Sequence, residues 1–117
     1  MGRELIMHVI DYEKFLTVDM RVGKVVRAEK LEEAKIPAIK LWIDFGEVIG
    51  EKKSSAQITA NYSPENLIGT LVIAVVNFPP KQIGKFFSEV LVLGVSDESG
   101  IILLRPDKES KVGERVH

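Results

Sequence analysis

The chain has 117 residues, the size of one domain and enough to bury a core without metal or disulfide. It contains no cysteine, which excludes disulfide staples and thiolate metal sites and fits a reducing cytoplasm. A net charge of −1 argues against indiscriminate binding to nucleic acid, and no stretch approaches the ~18 consecutive apolar residues of a membrane span.

Residues 1–10 carry one arginine and a short apolar run, Leu5 to Ile10, interrupted by His8. They lack the length and small-residue cleavage pattern of a secretory signal and read as an N-terminal extension. Asp11 is positioned to cap a helical turn ending near Leu16. Met20 to Ala28 alternates around Gly23, the pattern of a long, bent strand. A bulge at Gly23 would gather Arg21, Lys24 and Arg27 on one face; without it they are plain solubilising charge. Ala38 to Phe45 predicts a half-buried strand, with Ile39, Leu41, Ile43 and Phe45 facing in and Lys40, Trp42 and Asp44 facing out.

Gly46 to Gly50 predicts a turn, and Lys52 to Thr59 a third strand. A short helix follows, with Ser63 as its cap, Pro64 at its first position and Gly69 past its end. Leu71 to Phe78 and Val90 to Leu93 are the fourth and fifth strands, and Ile101 to Leu104 adds a further apolar run. Between the fourth and fifth strands lies a loop with two prolines (Pro79, Pro80), two lysines (Lys81, Lys85) and the adjacent Phe86 and Phe87. Such loops on a rigid scaffold carry function disproportionately. The predicted fold class is all-β: one domain over residues 1–117, a five-stranded OB-fold barrel with a short helix between strands three and four and terminal extensions.

Charge is uneven along the chain. From Arg21 to Lys85 there are ten Lys/Arg against seven Asp/Glu, while the ends together carry six against ten. That permits a modest basic face and excludes a strongly basic, phosphate-tracking protein. No nucleophile sits beside a histidine, no glycine-rich phosphate cradle is present, and no paired acids stand out, so no catalytic residue is assigned. His8 and His117 lie near opposite ends, which leaves no basis for a metal site or a cofactor.

Asp19-Met20-Arg21-Val22-Gly23-Lys24-Val25 resembles the opening strand of the tRNA-binding domain family, OB-fold modules found free-standing and fused to methionyl- and phenylalanyl-tRNA synthetases. Within that family, three further stretches resemble the CsaA branch: Ile36 to Leu41, Ser54 to Thr59, and Val72 through Phe78-Pro79-Pro80 to Gly94. The resemblance spans about Asp11 to Pro106. It implies a homodimeric OB-fold that binds RNA and, for this branch, an export-related chaperone for unfolded or precursor polypeptides. One departure stands out. The general module has Gly-Met after the serine matching Ser88, whereas Glu89-Val90 stand here. A carboxylate at that spot would repel phosphate, which favours peptide over tRNA.

With that resemblance, the candidate peptide- or RNA-binding residues are Lys52, Lys53, Ser54, Ser55, Gln57, Asn77, Phe78, Lys81, Lys85, Phe86, Phe87, Ser88 and Glu89. The serines and Gln57 form either a hydrogen-bonding row or an ordinary solvated strand face. Asn77 either organises its loop or reaches a ligand, the former being its commoner habit. Phe86 and Phe87 cannot both point inward from an extended segment, so one of them is expected outside. Trp42 lies on a polar face and calls for cover, from a partner or from the charged loop at residues 30–35. Leu5, Ile6, Val9, Trp42, Ile101 and Leu103 are the expected seam of a two-fold dimer, the commonest symmetry. The expected function is a cytoplasmic, homodimeric, CsaA-like chaperone holding extended polypeptide. The alternatives are a free-standing tRNA-binding protein and a dimeric scaffold for another protein.

Overall fold

The computed structural model describes residues 7–32 and 34–117. Leu5 and Ile6, expected in the dimer seam, lie outside the described residues. The helix α1 (Tyr12–Leu16) is capped as expected, the Asp11 carboxylate accepting from the Lys14 amide at 2.8 Å. From there the chain enters β1 (Met20–Lys30), the longest strand, which serves two neighbours in turn. Its first half pairs antiparallel with β4 (Leu71–Val75) and its second half with β2 (Ile39–Asp44).

One strand can close a barrel this way only if it bends, and two features of β1 allow the bend. Gly23 leaves room for Ile43 and Phe45, which come so near that a Cβ there would lie 2.5 Å from the Ile43 side chain. The register then shifts between Val25 and Arg27. The bulge therefore sits just beyond Gly23, not at it, and re-phases the strand so that Lys24 and Arg27 share the outer face. Arg21 does not join them; it is tied to Asp19 and to the Gly113 carbonyl.

The inward face of β2 is as the alternation requires, with Ile39, Leu41, Ile43 and then Phe45 fully buried. They pack with Val25, Ile58, Leu67, Val72 and Ala74 in the barrel core. The Gly46–Gly50 turn contains a short helical segment, α2 (Gly46–Ile49), and leads into β3 (Glu51–Ala56). Next, α3 (Pro64–Leu67) plugs one end of the barrel with Leu67; the Asn66 side chain accepts from the Ser63 amide at 3.1 Å.

The sheet runs β3-β2-β1-β4-β7, where β7 is Leu91–Val92, giving the nearly closed five-stranded OB-fold barrel that the sequence predicts. Closure between β3 and the chain before β7 is partly made by side chains. The Lys53 carbonyl accepts from the amides of Glu89 (2.7 Å) and Val90 (3.3 Å). The Glu89 carboxylate accepts from the Lys53 amide (2.9 Å), and the Ser88 hydroxyl from the Ser55 amide (3.0 Å). These acceptors satisfy the edge of β3 without a long ladder.

Two hairpins stand on this barrel. The segment after Pro80, expected as an irregular loop, forms β5 (Lys81–Ile83) and β6 (Phe86–Ser88) around Gly84-Lys85, with Gly84 at φ 61. A two-residue connection with glycine at positive φ is ordinary hairpin chemistry. The C-terminal apolar run is one half of a second hairpin, β8 (Gly94–Asp97) with β9 (Gly100–Leu103).

The tail then returns along the start of β1, where Gly113 donates to Val22, Val22 to Glu114 and Val116 to Met20. Arg115 donates to the Leu16 carbonyl at 2.6 Å and lies 3.6 Å from the Asp19 carboxylate. Asp19 thus sits between two guanidiniums. The Arg21 hydrogen bond, working against a burial cost and supported by the charges of Arg21 and Arg115, holds its carboxyl below the usual range. Because the folded pKa is the lower one, the cluster stabilises above the ordinary carboxylate pKa, and that stability drains away as pH falls below it. Asp19→Asn should therefore flatten the acid limb of the stability curve below about pH 4, measured by urea midpoints across pH. An unchanged acid limb would place the loss elsewhere.

Candidate ligand groove

Between the two hairpins the barrel opens into a groove of about 730 Å³. Its floor is the end of β3 with Ile58 and the Val90–Leu93 segment. One wall is Phe78, Pro79, Lys81 and Ile83; the other is Gly94, Ser96, Ile101 and Leu103. Among the described residues, the only charged side chains in the lining are Lys81 and Glu89. A concave, mostly apolar surface with a few polar groups is the usual form of a binding site.

The thirteen candidate residues divide cleanly around it. Ser55, Gln57, Phe78, Lys81, Ser88 and Glu89 line the groove; Lys52, Lys53, Ser54, Asn77, Lys85, Phe86 and Phe87 do not. Each of the outsiders for which a contact is found has a physical reason to be elsewhere. Ser54 is 1% exposed, and its hydroxyl donates to the Val90 carbonyl at 2.9 Å, so it closes the barrel instead of facing a ligand. Asn77 accepts from the Asp19 amide (3.1 Å) and donates to the Thr17 carbonyl (2.8 Å), pinning the connection between α1 and β1 to the end of β4. Glu89 spends one carboxylate oxygen on the Lys53 amide, so it has a structural duty as well as a place in the groove.

Phe86 and Phe87 part as their adjacency demands. Phe86 is 7% exposed and Phe87 45%. Phe86 joins Leu31 and Ala38 in a second, smaller core on the outer face of the sheet, with Ala34, Trp42 and Ile83 packed against it. Trp42 meets Phe86 edge-on, centroids 6.0 Å apart, so its cover comes from its own chain and from the loop after β1. Cations ring this pair. The Arg27 guanidinium lies 4.3 Å from the Trp42 centroid, and the ammoniums of Lys40 and Lys53 lie 5.5 and 5.4 Å from that of Phe86. Arg27 also pairs with Glu29.

The other residues expected at the seam are spread out. Val9 is 95% exposed, whereas Ile101 and Leu103 pack partly on the barrel core and line the groove. Their neighbours in β8 and β9, Val95 and Ile102, face outward. The sequence reading missed Leu91 and Leu93 in the floor, which pairing of β7 with β4 places there, and Gly94 and Ser96, which the second hairpin brings to the wall. Gly84-Lys85 was the available signal that the first hairpin existed.

A family model described as a putative tRNA binding domain matches residues 20–115. The chain belongs to that family. Among solved structures, chaperone CsaA from Bacillus anthracis str. Ames is similar at 51% identity and a TM-score of 0.87, over 94% of this chain and all of that one. The CsaA chaperone protein from Picrophilus torridus is similar at 50% identity and a TM-score of 0.87, over 93% of this chain and all of that one. These likenesses place it with the CsaA type within the tRNA-binding domain family. Methionine--tRNA ligase 1 of Sorangium cellulosum (strain So ce56) is 42% identical over 107 residues, which are 90% of this chain and 15% of that protein. The chain spans a small fraction of the ligases it matches. The family model describes a binding domain and not a catalytic one. No described helix is long and apolar enough to cross a membrane.

Proposed function

We propose that this tRNA-binding-type domain is a CsaA-like chaperone that holds extended polypeptide in the groove between its hairpins. It would do so as a cytoplasmic homodimer serving protein export. The supporting observation is the character of the groove, about 730 Å³ of mostly apolar lining in which Lys81 and Glu89 are the only charges among the described residues. An RNA backbone has little to neutralise there, whereas an extended chain can place apolar side chains against Ile58, Leu91 and Ile101. Fluorescence anisotropy with a reduced, unfolded protein should register binding that changes little between low and physiological salt. Phe78→Ala combined with Leu91→Ser should weaken it by about tenfold or more, since two apolar contacts worth ~1 kcal/mol each are removed. Full binding by that variant, or none by the parent, would sink the reading.

The second reading, tRNA binding, draws on the family and on the cations gathered at Arg27, Lys40 and Lys53. It predicts a steep loss of affinity with salt, as each neutralised phosphate releases counterion, and a shallower slope in Lys40→Ala plus Lys53→Ala. Dimerisation is favoured by exposed Val9, Ile10, Val95, Ile102 and Leu104. Sedimentation at micromolar concentration should return about twice 13.1 kDa, and a species that stays monomeric refutes it.

A further inference from the structure

The two walls of the groove differ in what their backbones offer. On one side Pro79 carries no amide hydrogen, and Gln82, the β5 residue that antiparallel pairing turns to that strand's outer edge, does not line the groove. On the other side stands β8, whose only strand partner among the described residues is β9. In β9 the Ile101 carbonyl accepts from the Asn61 side chain (3.1 Å) and the Leu103 amide donates to the Tyr62 hydroxyl (3.0 Å). Those backbone groups therefore point away from β8. By antiparallel pairing, the residues opposite them, Ser96 and Gly94, must point their own backbone groups to the outer edge of β8. No described residue bonds them there. Both residues line the groove, so an unpaired strand edge runs along an apolar trough.

Charge selects what could pair with that edge. Asp97 and Glu98 occupy the turn of this hairpin, whereas Lys81 and Glu89 balance one another in the groove, so the acidic charge lies at the turn. A second copy of β8 would bring the same acidic turn with it. A polypeptide with alternating apolar residues and a basic end meets the trough with its apolar side chains and the turn with opposite charge.

Deepening the proposed polypeptide-binding function, on which this inference rests, we infer that the bound chain adds as a strand to β8, pairing with Gly94 and Ser96 and placing a basic residue beside Asp97 and Glu98. The edge gives affinity through main-chain bonds, and the trough gives selectivity through alternate side chains.

The test uses the full chain and a fluorescent twelve-residue probe that repeats valine and serine and ends in two lysines. Three companions are compared: the probe with glutamates for lysines, the probe N-methylated at alternate residues, and the unmodified probe against Ser96→Pro. Ser96→Pro removes an amide that makes no internal bond, and Ser96→Ala serves as the side-chain control. The expected result is roughly tenfold weaker binding for the N-methylated probe and for Ser96→Pro, from the loss of about one hydrogen bond. The glutamate probe should also bind more weakly, and Ser96→Ala should match the parent. Hydrogen exchange at the Ser96 amide should slow when the probe is bound. Equal binding of the methylated and plain probes overturns the inference while leaving the groove reading intact. It needs no variant, so a misfolded Ser96→Pro does not blunt it. A dimer lost in Ser96→Pro without any peptide would assign the edge to a second copy and overturn the inference. No binding of either the probe or an unfolded protein removes the groove reading and this inference together.

Discussion

Phe86→Ala should cost about 3–5 kcal/mol, lowering the melting temperature by more than about 10 °C. The ring is 7% exposed and belongs to the second core with Trp42, Leu31 and Ala38, under the ammoniums of Lys40 and Lys53. Its removal leaves a cavity on the outer face of β2 and deprives both ammoniums of a ring face. A loss of that size is a large share of the 5–15 kcal/mol that holds a domain of this length. The effect should also be local. Phe86 and the Ser88 hydroxyl are the chief ties of the β5–β6 hairpin to the barrel, so the hairpin should open ahead of global unfolding. Hydrogen exchange would then show fast amides at residues 81–88 and a still-protected β2. Thermal melts that match the parent, or exchange that accelerates evenly along the chain, would mean that Phe86 anchors nothing. Phe87→Ala, at an exposed ring, should lie within about 0.5 kcal/mol of the parent.

Gly23→Ala should be nearly as damaging, at about 3 kcal/mol, although it adds a single methyl. A Cβ there would lie 2.5 Å from Ile43 Cγ2 and 2.6 and 2.9 Å from two carbons of the Phe45 ring. Both neighbours are fully buried, so neither can swing into solvent. Either the rings and methyls repack or β1 moves off β2, and the second option opens the barrel where its longest strand must bend. Phe45→Leu introduced into Gly23→Ala tests the cause, since the smaller side chain should recover part of the loss even though Phe45→Leu alone destabilises. Urea midpoints for the four proteins form a double-mutant cycle. Additive losses would show that the clash is not with Phe45.

Much of the fold was legible in the residues themselves. The alternation from Ile39 to Phe45 fixes which face of β2 is buried, because successive side chains on a strand point to opposite sides. Asp11, Ser63, Pro64 and Gly69 mark helix ends by local chemistry that acts within four residues. The rule that adjacent residues face opposite ways foretold that Phe86 and Phe87 would part. It could not say which one faces in, because that depends on where Leu31, Ala38 and Trp42 arrive.

The site was only half legible for the same reason. Ser54, Asn77 and Glu89 carry polar groups that would serve a ligand equally well, and the sequence contains no sign that those of Ser54 and Asn77 are spent on Val90, Thr17 and Asp19. Nor does it show that the tail from Gly113 to Val116 lies along the edge of β1, some ninety residues away in the chain. The place of the bulge, at Val26 instead of Gly23, decides that Lys24 and Arg27 share a face, and it follows from pairing with β2. Periodicity and caps are properties of neighbours in sequence, so the chain itself determined the five barrel strands, the helices at Tyr12 and Pro64 and the barrel class, but not the β5–β6 hairpin or β8. Which polar groups remain free for a ligand is settled by hydrogen bonds between distant segments, and only the closed barrel with its two hairpins brings those segments together.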